Sequence, residues 1–179
     1  AMQALVDAGD EVVAVTPVWP NLTAQPLILG ARLRTVSLQP RAGAWTLNLP
    51  DLLAAVTPAT RLLVLNAPNN PTGWTLTRAE QQAILAHCRQ TGTWILADEV
   101  YERLFYEASP NGCAPSFLDL AEPEDRLVVV GWHGANRPPR PDCWYARVDA
   151  AIGRLSPETI EVEALRAARV SPEARRTSS

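Results

Sequence analysis

The sequence predicts an α/β fold, a three-layer, mostly parallel sheet with helices on both faces, and three observations carry that prediction. Through about residue 130, short β-branched or aliphatic runs alternate with helix-like segments. The strand, helix, strand spacing demands parallel neighbours joined by right-handed crossovers, and hence a sheet covered on both sides. Polar residues gather directly after the strands, at the carboxyl ends where open α/β sheets bind their ligands.

The elements follow in order. AMQALVDAGDEV reads as the end of a helix already under way, stopped near Gly9, which raises the expectation of a segment upstream. EVVAV (11–15) is a strand, and NLTAQPLILG (21–30) a helix weakened by Pro26 and ended at Gly30. RLRTVSL (32–38) is a second strand, followed by a helix PDLLAAV (50–56) that opens with Pro50, where a missing N–H costs nothing. RLLVL (61–65) reads as a buried strand. The next helix is the best marked, with Thr77 and Glu80 as a capping box, Ile84, Leu85 and Cys88 as an apolar stripe, and Gly92 as its end. TWILA (93–97), leading into Asp98, and RLVVV (126–130) complete the strands.

Composition narrows the function classes. With 179 residues, 47% of them hydrophobic, and a formal charge of −3, the chain gives no electrostatic case for nucleic acid or an anionic membrane. No apolar run approaches the length of a bilayer span. Cys88, Cys113 and Cys143 are odd in number and widely spaced, so neither a disulfide framework nor a zinc site is indicated, and a reducing cytoplasm is the default. All 16 basic side chains are arginine, with no lysine anywhere.

The polar residues after the strands each have an ordinary structural reading. NAPNNPTGW (66–74) is crowded with turn-formers, since proline fixes φ, asparagine bonds local backbone and glycine accepts positive φ. Trp19 reads as a core or rim aromatic, Asp98 as a helix cap or a partner for a nearby arginine such as Arg103, and Tyr101 as packing with its hydroxyl satisfied. Their combination is much less common than any member.

AGDEVVAVTPVWPN, NAPNNPTG and ADEVYERLFY, in that order and at fitting intervals, resemble the class I/II aminotransferases, pyridoxal-phosphate enzymes of fold type I. The resemblance covers residues 1 to about 130 and implies the large domain of that fold. It implies that Asp98 keeps the pyridine nitrogen of pyridoxal 5′-phosphate protonated, that Tyr101 and Asn70 hydrogen-bond the ring's 3-oxygen, and that Trp19 stacks on the ring face. The family's phosphate-binding turn and an N-terminal segment have no counterpart here. A serine-rich turn bearing the Schiff-base lysine should fall near Ala135 or Asn136, where the sequence reads GWHGANRPPRPD. Arginine is no substitute, because its guanidinium stays protonated, and His133 could move a proton but could not anchor the cofactor. The expectation is no catalytic lysine, no covalent attachment and little or no turnover by this chain alone.

Residues 131–179 form a second region, rich in arginine and proline, with PETIEVEALRAAR (157–169) as one possible amphipathic helix and a solvated tail. A reading-frame change, a rearranged or truncated gene and real divergence all remain open for this region. Three functional readings stand. The first is an incomplete aminotransferase whose intact form moves an amino group between an amino acid and a 2-oxo acid, typically as a homodimer, with a pyridoxal-phosphate carbon–sulfur lyase as the alternative within the family. The second is a lysine-free module that binds the cofactor non-covalently or binds a protein partner. The third is an unrelated α/β domain. A large domain without its usual cover would also expose apolar surface and tend to aggregate.

Overall fold

The structure is a computed structural model that describes residues 1–106 and 112–131. The expectations for His133, Ala135, Asn136, Cys143, the helix over 157–169 and the tail fall outside the described residues. Helix α1 is Met2–Leu5, strand β1 is Glu11–Thr16, and helix α2 is Pro20–Ile28. Strands β2, β3 and β4 are Arg32–Ser37, Gln39–Arg41 and Ala44–Thr46. Helix α3 (Leu49–Ala55), strand β5 (Thr60–Asn66), helix α4 (Arg78–Thr91) and strands β6 (Trp94–Asp98) and β7 (Leu127–Val130) complete the order, with a short 3-10 turn at Phe117–Asp119.

Five of the strands form one sheet in the order β2-β1-β5-β6-β7, and every pairing in it is parallel. Strand residues alternate between two apolar clusters, as a period of two requires. Val13, Leu63, Ile95 and Val129 pack with Leu52 of α3 and with Ile84, Leu85 and Cys88 of α4. Val12, Leu62, Leu96 and Val128 pack on the other face with Leu5 of α1 and Leu22 of α2. Truncating a fully buried leucine such as Leu62 to alanine costs about 2–5 kcal/mol in such a core. β2 is an edge strand, with Arg32, Arg34, Thr35 and Ser37 exposed in the manner that protects an edge from further pairing.

The capping box of α4 is present in full: the Glu80 N–H donates to Thr77 Oγ1, and the Thr77 N–H donates to the Glu80 carboxylate at 2.7 Å. Gly92 ends α4 in the left-handed region at φ 72°, a conformation a side chain would strain. Pro26 does not break α2, because its ring is buried and only one ladder bond is forfeited. Two details differ from expectation. The first helix stops at Leu5 rather than near Gly9, with Val6 already extended. The stretch between β2 and α3 folds as a β3-β4 hairpin, unmarked in the sequence because its turn is Ala42-Gly43 rather than an asparagine-glycine or aspartate-glycine pair.

Candidate active site

The strand order changes direction between β1 and β5. From β1 the chain runs through α2 to the edge strand β2, whereas from β5 it runs through α4 to β6, and the two helices cover opposite faces. Such a switch point opens a crevice beyond the carboxyl ends of the strands. Trp19 stands on one side of it as the N-cap residue of α2, half exposed at 50%, with its carbonyl accepting from the Leu22 N–H. The loop 67–73 stands on the other side, after β5.

That loop leaves no backbone donor idle. Proline removes the N–H at Pro68 and Pro71, each of which follows a cis peptide bond. The Ala67 N–H donates to the Asp98 carbonyl at 3.1 Å, the Asn69 N–H to the Trp74 carbonyl at 2.8 Å, and the Asn70 N–H to Asn66 Oδ1 at 2.7 Å. The Thr72 N–H and hydroxyl both donate to Asn69 Oδ1, the Gly73 N–H to the Asn69 carbonyl, and the Trp74 N–H to Thr72 Oγ1. The two prolines thus delete donors while two asparagine side chains take up others, and Gly73 turns the chain at φ 71°. Asn70 itself is half-buried.

Asp98 closes β6 opposite Asn66 in the register. Its carboxylate is partly buried, and burial pushes its pKa up, partly offset by the Val100 N–H that donates to Oδ1 at 3.4 Å. Among the described residues no ion pair joins it to Arg103 or to any other cation, contrary to the ordinary reading of Asp98 as an arginine partner. A partly buried carboxylate that among the described residues accepts from one long backbone N–H suits a cationic group such as a protonated pyridine nitrogen. Tyr101 follows in the turn after β6 and is 37% exposed. The structure therefore brings Asn70 and Asp98 to adjacent strand ends, linked through Asn66, with Trp19 and Tyr101 at the same edge of the sheet.

Two further residues of this edge have no role of their own in the sequence reading. Asn66 is 2% exposed and spans from β5 to the Asn70 N–H and the Asp98 carbonyl. Glu99, 3% exposed, accepts from Ser116 Oγ at 2.5 Å and from the Phe117 N–H at 2.9 Å, which fastens the 3-10 turn beneath the β6 loop. The signal for both lay in position: each is a polar residue at the last rung of an apolar strand or just past it.

The family model for aminotransferases of class I and II matches residues 1–131. The chain belongs to this family. It is 36% identical over 143 residues to kynurenine–oxoglutarate transaminase 1 of Mus musculus, covering 75% of this chain and 33% of that one. It is 31% identical over 137 residues to arginine–pyruvate transaminase AruH of Pseudomonas aeruginosa, covering 73% and 35%. Among solved structures, N-succinyldiaminopimelate aminotransferase from Mycobacterium tuberculosis superposes with a TM-score of 0.62 at 32% identity, over 72% of this chain and 33% of that chain. This aminotransferase chain spans about a third of the length of the curated relatives it matches. Among the described residues no helix is long and apolar enough to cross a membrane.

Proposed function

We propose that this chain forms the ring-holding side of a pyridoxal 5′-phosphate site, serving amino-group transfer between an amino acid and a 2-oxo acid. The observation that carries the reading is the partly buried Asp98 carboxylate at the switch-point edge, paired with no arginine among the described residues, on a residue whose backbone carbonyl is tied through the Asn66 side chain to the Asn70 loop. When bound, the cofactor supplies an electron-withdrawing ring that eases departure of the substrate's α-proton. Asp98 would hold the proton on the ring nitrogen, because a carboxylate beside that nitrogen favours its charged form. Tyr101 Oη and Asn70 Nδ2 would donate to the ring's 3-oxygen. Trp19 would cover one face of the ring and exclude water from it. The names of the relatives, each pairing an amino acid with a 2-oxo acid or naming an amino acid derivative, support that substrate class.

With no lysine among its 179 residues, the chain binds the cofactor without a covalent bond and does not turn over by itself. Residues 1–130 act as the cofactor-binding domain in this reading, and residues 131–179 take no part in it. The resemblance supports a dimer of two copies as the working assembly of the complete enzyme. The cytoplasm is supported as its location by widely spaced cysteines, of which Cys88 and Cys113 are free thiols.

The test is a spectroscopic titration of the full chain with pyridoxamine 5′-phosphate. The expected result is saturable binding that weakens at least about ten-fold in Asp98→Ala, a loss comparable to one charge-assisted hydrogen bond, with smaller losses in Asn70→Ala and Tyr101→Phe. Equal binding by all four proteins overturns the reading and favours an unrelated α/β domain.

A further inference from the structure

The cofactor reading assigns roles to Trp19, Asn70, Asp98 and Tyr101 but none to Asn66, and the present inference rests on that reading. We propose that Asn66 is a positioning residue whose buried side-chain amide fixes the Asn70 loop against the carboxyl end of β6, setting where Asn70 stands relative to Asp98.

The geometry begins with the register. Asn66 and Asp98 are paired at the last rung of β5 and β6. By strand alternation their side chains lie on the same face of the sheet as Leu62, Val64 and Leu96. At 2% exposure the Asn66 amide has no access to water, so its polar atoms need partners from the protein. Oδ1 accepts from the Asn70 N–H at 2.7 Å, and Nδ2 donates to the Asp98 carbonyl at 3.2 Å. Only this orientation of the amide works, because exchanging O and N would set donor against donor and acceptor against acceptor.

No neighbour can take over the contact to Asn70. In the loop, Asn69 Oδ1 already receives both donors of Thr72, and the Asn69 carbonyl receives the Gly73 N–H. The flanking residues Pro68 and Pro71 offer no N–H through which the loop could be tied differently. The Asp98 carbonyl takes a second donor from the Ala67 N–H, so Asn66 and the first loop residue after β5 grip the end of β6 at two adjacent points. On the far side the Glu99 N–H donates to the Val130 carbonyl at 2.7 Å, which holds the same strand end from β7. Asp98 is thus located from both neighbouring strands, and among the described residues Asn70 is located through the Asn66 side chain and its own loop.

The test compares the full chain with Asn66→Ala, Asn66→Asp and Asp98→Ala. Three readouts are taken: affinity for pyridoxamine 5′-phosphate, the absorbance maximum of the bound ligand, and hydrogen exchange of the Asn70 amide by NMR. Asn66→Ala is expected to speed Asn70 exchange relative to the Ile84 amide in α4, to weaken ligand binding about ten-fold, and to move the absorbance maximum. Asn66→Asp keeps an acceptor for the Asn70 N–H but loses the donor to Asp98. It is expected to preserve Asn70 protection while sharing the affinity loss and the spectral change, and it carries the test if the alanine variant does not fold. A purely structural role would lower stability and the amount of folded protein, yet leave the spectrum of the bound ligand unchanged. Wild-type affinity and spectrum in both Asn66 variants, alongside lost binding in Asp98→Ala, overturn the proposal alone. Unchanged binding in Asp98→Ala instead overturns the cofactor reading, and the proposal falls with it.

Discussion

Asp98 and Asp125 sit at opposite ends of the same sheet, and they are treated in opposite ways. Asp125, 8% exposed and just before β7, is gripped by Arg89 through two hydrogen bonds of 2.6 and 2.8 Å and also accepts the Glu122 N–H. Burial pushes its pKa up, but the Arg89 bonds and that N–H outweigh burial and leave it lowered. Among the described residues Asp98 has no such cation, and burial leaves its pKa raised. Around Asp125 the amino-terminal edge is finished in the same style, with Arg126 donating to the Gly92 carbonyl and Thr60 Oγ1 to Glu11. A cleft of about 720 Å³ opens at that edge, lined in part by Arg89, Asp125 and Arg126, but its arginines are already committed to protein partners. The difference between the two edges lies in how far a carboxylate is matched: Asp125 is fully paired, and among the described residues Asp98 is not.

Four substitutions break or sharpen this contrast. Glu99→Ala has the largest expected effect, about 3 kcal/mol, because it leaves two buried donors, the Ser116 O–H and the Phe117 N–H, without the acceptor they share. Chemical denaturation should show it, and a loss below 1 kcal/mol would mean that the carboxyl edge is open at Glu99 as well as at Asp98. Arg89→Ala should cost about 2 kcal/mol at neutral pH, a discounted figure because the arginine is partly exposed while Asp125 is not. Since the folded pKa of Asp125 is lowered, its contribution is present above the ordinary carboxylate pKa and is lost as pH falls through the lowered value. The gap between wild type and Arg89→Ala should therefore narrow in acid, and a gap that stays constant down to strong acid refutes the assignment. Thr77→Ala, which dismantles the capping box of α4 and touches neither aspartate's hydrogen bonds, should cost about 1 kcal/mol, read by chemical denaturation.

Asp98→Asn should change stability least and in the other direction. Its folded pKa is raised, so the charged form is penalised at neutral pH, and stability returns as pH falls through the raised value toward the ordinary one. The neutral asparagine should then be slightly more stable than wild type at neutral pH, lose that advantage in acid, and bind pyridoxamine phosphate more weakly. Thermal melts at two pH values, paired with the ligand titration, measure both halves of the trade.

Much of this was legible before any coordinates. The strands at EVVAV, RLLVL and RLVVV lie within a residue of where the apolar runs put them, because a strand buried on both faces has few ways to be written. The β3-β4 hairpin was not legible, since Ala42 and Gly43 carry no strong turn signature and the short strands are exposed. The role of Asn66 was equally hidden. In sequence it is one of three asparagines in NAPNN, and only the register with Asp98, thirty-two residues away, separates it from Asn69 and Asn70.

By itself the sequence determined the alternation of strands and helices, the absence of any lysine, the capped ends of α4 and the family to which the chain belongs. Those features are local or compositional, and local chemistry writes them directly into the residues. The tertiary structure decided the strand order, the switch point between β1 and β5, and the unequal fates of Asp98 and Asp125. Burial and pairing of a charge depend on which distant segments close over it, and that is fixed only when β5, β6 and β7 come together.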